Sequence, residues 1–261
     1  MRESRNLWGP LWPLGEALRF LTIVPMPGLP PTPDGGMGRA VACFPLAGAV
    51  LGGLLVGMGL LAELLWTSGV RDVLVVVAWA VLSAGLHLDG LSDTFDAVLS
   101  WRSRERKLEI MRDSRIGVMG ALALVVVLAL KVAFLGAMGG QGELGVAWWQ
   151  AVLLAPIVGR WAMSFGLCGF AAARTSGLGQ SVQSQTGRRT LLFSSSAALL
   201  LSVLVGGWRG LLALLVVALV AWLLARWWVR DLGGLTGDTY GALCELSEVT
   251  ALAVLSTRLL A

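Results

Sequence analysis

The chain has 261 residues, a formal net charge of +4, 56% hydrophobic residues and only 14% charged ones. Its mean hydropathy of +0.78 excludes a single soluble domain, whose core has no room for that much apolar surface. The basic excess does not point to nucleic acid, because the basic residues gather in a few loops between apolar runs, as the orientation signals of membrane proteins do.

Residues 1–40 are mixed. Pro10 and Pro13 interrupt the apolar stretch after Arg2 and Arg5, so no signal peptide is read there. Gly15 to Val24 predicts a short amphipathic or re-entrant helix, too short to cross a bilayer. Pro25, Pro27, Pro30, Pro31 and Pro33 then force an extended, turn-rich segment. Seven apolar runs follow, near 41–65, 72–88, 117–138, 147–170, 191–207, 209–230 and 241–260. Each approaches the ~20 residues that a crossing takes. The fifth and sixth read as a tight hairpin around Gly206 and Gly207. The expected fold is therefore all-α: a polytopic integral membrane helical bundle of about seven transmembrane helices, forming one domain over 1–261.

Charges inside and between the runs carry the orientation. Arg2, Arg5, Arg19 and Arg39, the cluster from Arg102 to Arg115, and Arg174, Arg188, Arg189, Arg226 and Arg230 fall on one side. Arg71, Arg209 and Arg258 fall on the other. This bias predicts a cytoplasmic N-terminus and cytoplasmic loops near 89–116, 171–190 and 231–240. Trp148, Trp149, Trp208, Trp227 and Trp228 lie at expected span ends, where interfacial aromatics anchor. Cys43, Cys168 and Cys244 show no metal or redox spacing and read as packing. Lys131 and Arg160 fall within runs. Each costs about 2.5–3.5 kcal/mol to insert, so each is expected to face the bundle interior or water. Arg160, after Pro156 and Gly159, is read as a phosphate or carboxylate partner, and Lys131 as a snorkelling or structural residue.

Most of the ionisable chemistry lies in one stretch, HLDGLSDTFDAVLSWRSRERKLEIMRDSRIG, from His87 to Gly117. Asp89, Asp93 and Asp96 are spaced i, i+4, i+7, which puts three carboxylates on one helix face. Like charges so placed repel, and a divalent cation is the natural compensation. Mg²⁺ is commonly held by one or two carboxylates plus substrate phosphates. Gly90 lets a ligand approach the backbone closely. Glu109 and Asp113 form a second acidic pair, with Arg112 and Arg115 beside them as phosphate clamps. His87, the single histidine, is either a base or hydrogen-bond donor or an orienting residue. Glycines, serines and glutamines in 174–189 suit either a phosphate-tolerant segment or a plain connector. In 231–248, GGLTGDT is a glycine-rich turn leading into a helix N-terminus, with Gly237 and Asp238 at its start and Glu245 one face-repeat further on.

Acidic clusters, glycine-rich turns and arginines on one face suit Mg²⁺-assisted chemistry on a diphosphate. No P-loop, GxSxG or HExxH pattern is present. Residue chemistry alone leaves a membrane phosphotransferase or an ion-coupled transporter. A transporter would place its acidic residues near mid-membrane, and here they gather at one face. A CDP-alcohol phosphotransferase uses aspartates at similar spacing, but its DGxxAR pattern is absent, since Asp89-Gly90 is followed by Leu-Ser-Asp-Thr.

HLDGLSDTFDA, LEIMRDSRIGVMG and GGLTGDTYGALCELSEV closely resemble signature segments of the cobalamin synthase (adenosylcobinamide-GDP ribazoletransferase) family. FLTIVPMP, FPLAG and APIVGRW resemble further segments of it in the same order. Residues between Arg174 and Arg189 depart from the pattern. The resemblance implies a multi-pass enzyme of the cell inner membrane, with its active site facing the cytoplasm. Such an enzyme joins adenosylcobinamide-GDP to α-ribazole or its 5′-phosphate, releases GMP and requires Mg²⁺. It implies Asp89, Asp93, Asp96 and Asp113 as metal and catalytic residues, with Asp238 and Glu245 as a second group. With these go His87 as a catalytic candidate, and Arg112, Arg115, Arg160 and Gly237 as substrate-binding candidates. The expected partners are the two substrates and the lipid bilayer, without nucleic acid, in a chain compatible with a homo-oligomer.

The charge bias makes a direct prediction. In a cysteine-free background, cysteine at Ser103 resists an impermeant thiol reagent in intact cells, whereas cysteine at Gly140 reacts. The reverse labelling pattern would invert the topology.

Overall fold

A computed structural model describes residues 8–138, 146–174 and 177–258. Arg2, Arg5 and Gly140, used above for orientation, lie outside the described residues. The chain is helical throughout, and the one β-type pairing among the described residues is a parallel bridge between Ala172 and Leu235.

Helix α1 (Trp12–Leu21) starts with Pro13 in its first turn, where a missing N–H costs nothing. It is the short helix expected there, begun three residues earlier. The proline-rich segment runs across it: Trp12 and Trp8 donate their indole N–H groups to Pro30 and Pro27 carbonyls. After α2 (Met37–Ala42), helices α3 (Phe44–Glu63), α7 (Val118–Ala137), α8 (Trp148–Gly169) and α10 (Arg188–Leu232) are each long and apolar enough to cross a membrane. The bent pair α4 (Ser68–Leu82) and α5 (Leu86–Val98) makes a fifth if taken as one broken span. Helix α11 (Gly237–Leu255) carries Asp238, Glu245 and Glu248 and does not read as a span by composition. It is nonetheless deeply buried, packed on α5, α8 and α10. A short α6 (Arg104–Ile110) and α9 (Leu178–Gln183) lie in the connecting segments.

Set against the sequence expectations, the structure departs at two places and agrees at one. The run 72–88 is not one helix. Ala84 and Gly85 both take positive φ, 54° and 65°, and α5 leaves the line of α4 at 87°. Glycine adopts that backbone freely, but alanine pays about 1 kcal/mol or more. The strain is retained because the bend carries α5, with its carboxylates, out of the line of the spans. Second, the hairpin expected at Gly206–Gly207 is present inside α10. Gly207 has φ 58° and ψ −139°, and a side chain at Gly210 would strike the carbonyl of Ser202. Third, two of the supposed interfacial tryptophans are core. Trp228 is fully buried, and Trp148 lies under the Arg71 guanidinium and donates to Asp72 at 2.8 Å.

Helix α8 is the axis of the bundle, contacting α3, α10 and α11. Small residues permit the approach: a side chain at Gly48 of α3 would strike the Pro156 carbonyl of α8, and one at Gly159 of α8 would meet Glu248 of α11. Without a hydrophobic force between helices in lipid, this backbone proximity supplies the packing. Gly48→Leu is therefore expected to destabilise the detergent-solubilised protein by about 1–3 kcal/mol through overpacking. Gly53→Leu, where an added side chain meets open space, is expected to be near neutral. Equal melting temperatures for the two variants would contradict the α3–α8 packing.

Candidate active site

The site is built where α5 crosses the start of α11. Thr236 caps α11: its Oγ1 accepts from Thr239 N at 3.2 Å, and Thr239 Oγ1 accepts from Thr236 N at 2.8 Å. The preceding turn is pinned by the Ala172–Leu235 pairing, with Ala173 N donating to Leu235 O and Leu235 N to Ala171 O, each at 2.8 Å. The glycine-rich turn and helix N-terminus expected at 233–237 are thus present. A Cβ on Gly90 would lie 2.6 Å from the Asp238 carbonyl. Gly90 therefore admits the α11 backbone rather than a ligand, and this brings Asp89 and Asp93 beside Asp238.

The three aspartates of α5 do share one face, but they do different things. Asp96 accepts from Gly117 N at 2.7 Å and Gly120 N at 2.8 Å, one bond to each carboxylate oxygen. It fastens α5 to the N-terminus of α7, where a negative charge is favoured. Asp93, half-buried on α5 outside the spans, has no such partner. Burial first, then the charges of Asp89, Asp238 and Asp96, push its carboxyl up to about 7. Asp89 is exposed and lines a cavity of about 250 Å³ together with His87, Arg174, Gly237, Asp238 and Tyr240. Arg174 reaches this cavity from the segment expected to be either a phosphate-tolerant stretch or a connector. It donates to the Leu108 carbonyl at 3.0 Å, and its Nε is buried without a partner. That segment forms cavity wall through Gly177, Gly179 and Gln180, and Met37 N donates to Gln185 Oε1 at 3.0 Å, so it is docked on α2.

Several expected site residues lie elsewhere. Asp113 accepts from Arg115 Nε at 2.9 Å and Nη2 at 2.6 Å in the loop before α7. Its hydrogen bonds to Arg115 hold the carboxyl down at about 2. Neither residue lines the cavity, because each satisfies the other. Arg112 is exposed and close enough to Arg174 to repel it. Arg160 and Glu245 are not at the substrate surface. Arg160, 1% exposed, pairs with Glu248 and donates to Ser83 Oγ at 3.0 Å. Glu245 pairs with Lys131 at 2.7 Å, and Lys131 also reaches Glu248 at 2.5 Å. Lys131 is thus structural, seated over the Trp79 ring at 4.3 Å. The physical reason is burial: a charge inside the bundle is tolerable only when it is paired, so these four residues neutralise one another.

His87 joins this quartet to the cavity. Its Nδ1 lies 3.3 Å from Arg160 Nη2. A guanidinium has no acceptor, so Nδ1 accepts and the neutral ring keeps its proton on Nε2. That Nε2 is buried with no partner. Arg160 thus orients the His87 ring and leaves its Nε2–H without a protein partner. Sequence reasoning did not single out Arg174, Thr236, Tyr240 or Glu248 as site or support residues. The first three have no patterned spacing of their own, and Glu248 is one of several acidic residues in 231–248.

The donor set fits a divalent cation. Asp89, Asp93 and Asp238 are mutually repelling carboxylates; Asp89 and Asp238 line the cavity, and Asp93 has no Lys or Arg bonded to it among the described residues. Among the described residues no three His, Cys, Asp or Glu side chains come together to hold a metal ion, so Asp89, Asp93, Asp96 and Asp113 do not form the shared metal site expected from the sequence. That is consistent with Mg²⁺, which takes one or two carboxylates and completes its shell with water and phosphate.

The quartet makes a stability prediction. Lys131→Met leaves two buried carboxylates short of a cation and is expected to cost about 3–5 kcal/mol. Adding Glu245→Gln to Lys131→Met is expected to recover part of that loss in thermal melts, and a strictly additive double variant would show the two are not coupled.

A family model described as cobalamin-5-phosphate synthase matches residues 13–256. A relative named adenosylcobinamide-GDP ribazoletransferase from Roseiflexus sp. (strain RS-1) is 59% identical over 98% of this chain and 93% of its own length. Relatives of the same name from Herpetosiphon aurantiacus and Pseudomonas syringae pv. syringae are 46% and 41% identical, covering 93% and 94% of this chain and 95% and 98% of their own. No solved structure matches. The match spans every segment that builds the cavity, from α1 to α11, and the chain belongs to the cobalamin-5-phosphate synthase family.

Proposed function

We propose that the chain catalyses the Mg²⁺-dependent joining of adenosylcobinamide-GDP to α-ribazole or its 5′-phosphate, releasing GMP, at the cytoplasmic face of the cell inner membrane. The relatives' shared name supports the substrates. The observation that carries the chemistry is the carboxylate set Asp89, Asp93 and Asp238, in no ion pair among the described residues, beside Arg174 and the α11 N-terminus. One or two of Asp89, Asp93 and Asp238 would hold Mg²⁺, which when bound neutralises diphosphate oxygens and the charge developing on the leaving phosphate.

The chain's own residues do the rest. Arg174, with a free Nε, and the backbone N–H groups that open α11 bind phosphate oxygens. The Nε2–H of His87 donates to a substrate oxygen or ring nitrogen at the buried end of the cavity. A ribose hydroxyl of the acceptor attacks the phosphorus on the cobinamide side, its proton passes to a carboxylate, and the P–O bond to GMP breaks. The cavity of about 250 Å³ is too small to enclose a corrin ring, which therefore lies outside it.

The raised Asp93 sets the pH dependence. Its unfolded value is 3.8 and its folded value about 7. The folded chain without metal therefore loses stability as pH rises through that window, the opposite of a salt-bridged carboxylate. Metal binding expels the proton, so Mg²⁺ affinity is expected to rise about tenfold from about pH 6 to about pH 8. In Asp93→Asn that rise disappears. GMP release from adenosylcobinamide-GDP and α-ribazole is expected to fall at least about a hundredfold, roughly 2.7 kcal/mol of transition-state stabilisation. Glu105→Gln, exposed on α6, serves as the control. Full turnover by Asp93→Asn, or CMP release from CDP-diacylglycerol by the wild type, would overturn the reading.

A further inference from the structure

A transferase that joins two large molecules needs two binding places meeting at the reacting atoms. The structure has a second cavity, of about 590 Å³, on the other side of the start of α5. Phe20, Leu86 and Asp89 line both cavities, and Asp89 is the one ionisable residue common to them. The two are unlike in chemistry. The first holds Arg174, His87, Asp238 and the α11 N-terminus. The second is walled by Phe20, Leu21, Ile116 and Leu124, and its one cation, Arg19, is already paired with Glu16 and bonded to Thr32 Oγ1 at 2.9 Å. Ser92 also lines it, 1% exposed, with its Oγ buried and unpartnered.

We propose that this second cavity binds the acceptor, a neutral heteroaromatic nucleoside, and that Asp89 belongs to the wall it shares with the donor cavity. The assignment rests on the transfer proposed above. The aromatic and aliphatic wall matches a planar base that carries no charge. The unpartnered Ser92 hydroxyl supplies a hydrogen-bonding group for the sugar. The first cavity keeps the phosphates, whose charge needs Arg174 and a helix N-terminus. In the step, the acceptor O–H bond breaks with its proton going to a carboxylate of the site, a new O–P bond forms, and the P–O bond to GMP breaks with the electron pair leaving on the GMP phosphate. Asp89 thus stands between donor and acceptor.

The test uses the full chain in nanodiscs. Ile116→Trp, at an exposed position, and Leu124→Phe both reduce the second cavity, while Gln180→Trp reduces the first. Equilibrium dialysis with α-ribazole alone is expected to show at least about tenfold weaker binding for the first two variants, with GMP binding in the presence of Mg²⁺ within about twofold of wild type. Gln180→Trp is expected to show the converse. Steady-state assays are expected to follow, with the KM for α-ribazole raised and that for adenosylcobinamide-GDP unchanged in Ile116→Trp and Leu124→Phe. Retained GMP binding shows that those variants are folded. Undiminished α-ribazole binding in both, or a loss of GMP binding in its place, would overturn the assignment. Dialysis needs no turnover, so it tests the cavity assignment separately. Absence of GMP release by the wild type would instead sink the reaction proposed above.

Discussion

The fold depends on one buried arrangement of charge. Lys131 of α7, Arg160 of α8, and Glu245 and Glu248 of α11 are each 3% exposed or less and neutralise one another inside an apolar bundle. Each of these groups alone would cost several kcal/mol to bury. Paired, they leave α7, α8 and α11 a single register in which no carboxylate lacks a cation. Packing between apolar helices does not by itself specify register so sharply, because the lipid is as apolar as the side chains. The approach is close enough that Gly159 has no space for a side chain against Glu248.

That register is passed to the reaction side through His87. Arg160 holds its Nδ1, so the remaining proton sits on the ring nitrogen that has no partner. A structural network and a chemical site thus share one residue. At the opposite end, Arg71, Asp72, Glu63 and Trp148 form a second, separate charge cluster, which closes α4 onto α3 and α8. Asp89 and Asp93 on α5 and Asp238 at the start of α11 form no ion pair among the described residues, and Asp238 accepts from the Thr236 hydroxyl. Such sites are where bound metal and phosphate contribute most.

The bend between α4 and α5 places them there. A continuous helix through 72–98 would carry Asp89 and Asp93 along the axis of a span. The positive φ of Ala84 and Gly85 turns the chain through 87°. Asp96 then ties the far end of α5 to α7, and Lys107 binds Asp231 at 2.6 Å to draw α6 onto the end of α10. Backbone strain is thus spent on the placement of a site.

The sequence by itself determined the class and several local features. Apolar runs of about 20 residues can form little but membrane helices. Aspartates at i, i+4 and i+7 share a face in any α-helix, and the GGLTGDT stretch dictates a turn into a helix. Local geometry settles these features, so they were legible. Which carboxylates remain free was decided only by the tertiary structure. Asp96 and Asp113 look like Asp89 in sequence, yet one caps α7 and the other closes on Arg115. Arg160 and Glu245 looked like ligands until burial paired them with Glu248 and Lys131. Arg174 looked like a connector residue until the segment around it docked as cavity wall. Pairing and desolvation depend on neighbours more than a hundred residues away, such as Lys131 and Glu245, and no local pattern encodes that distance.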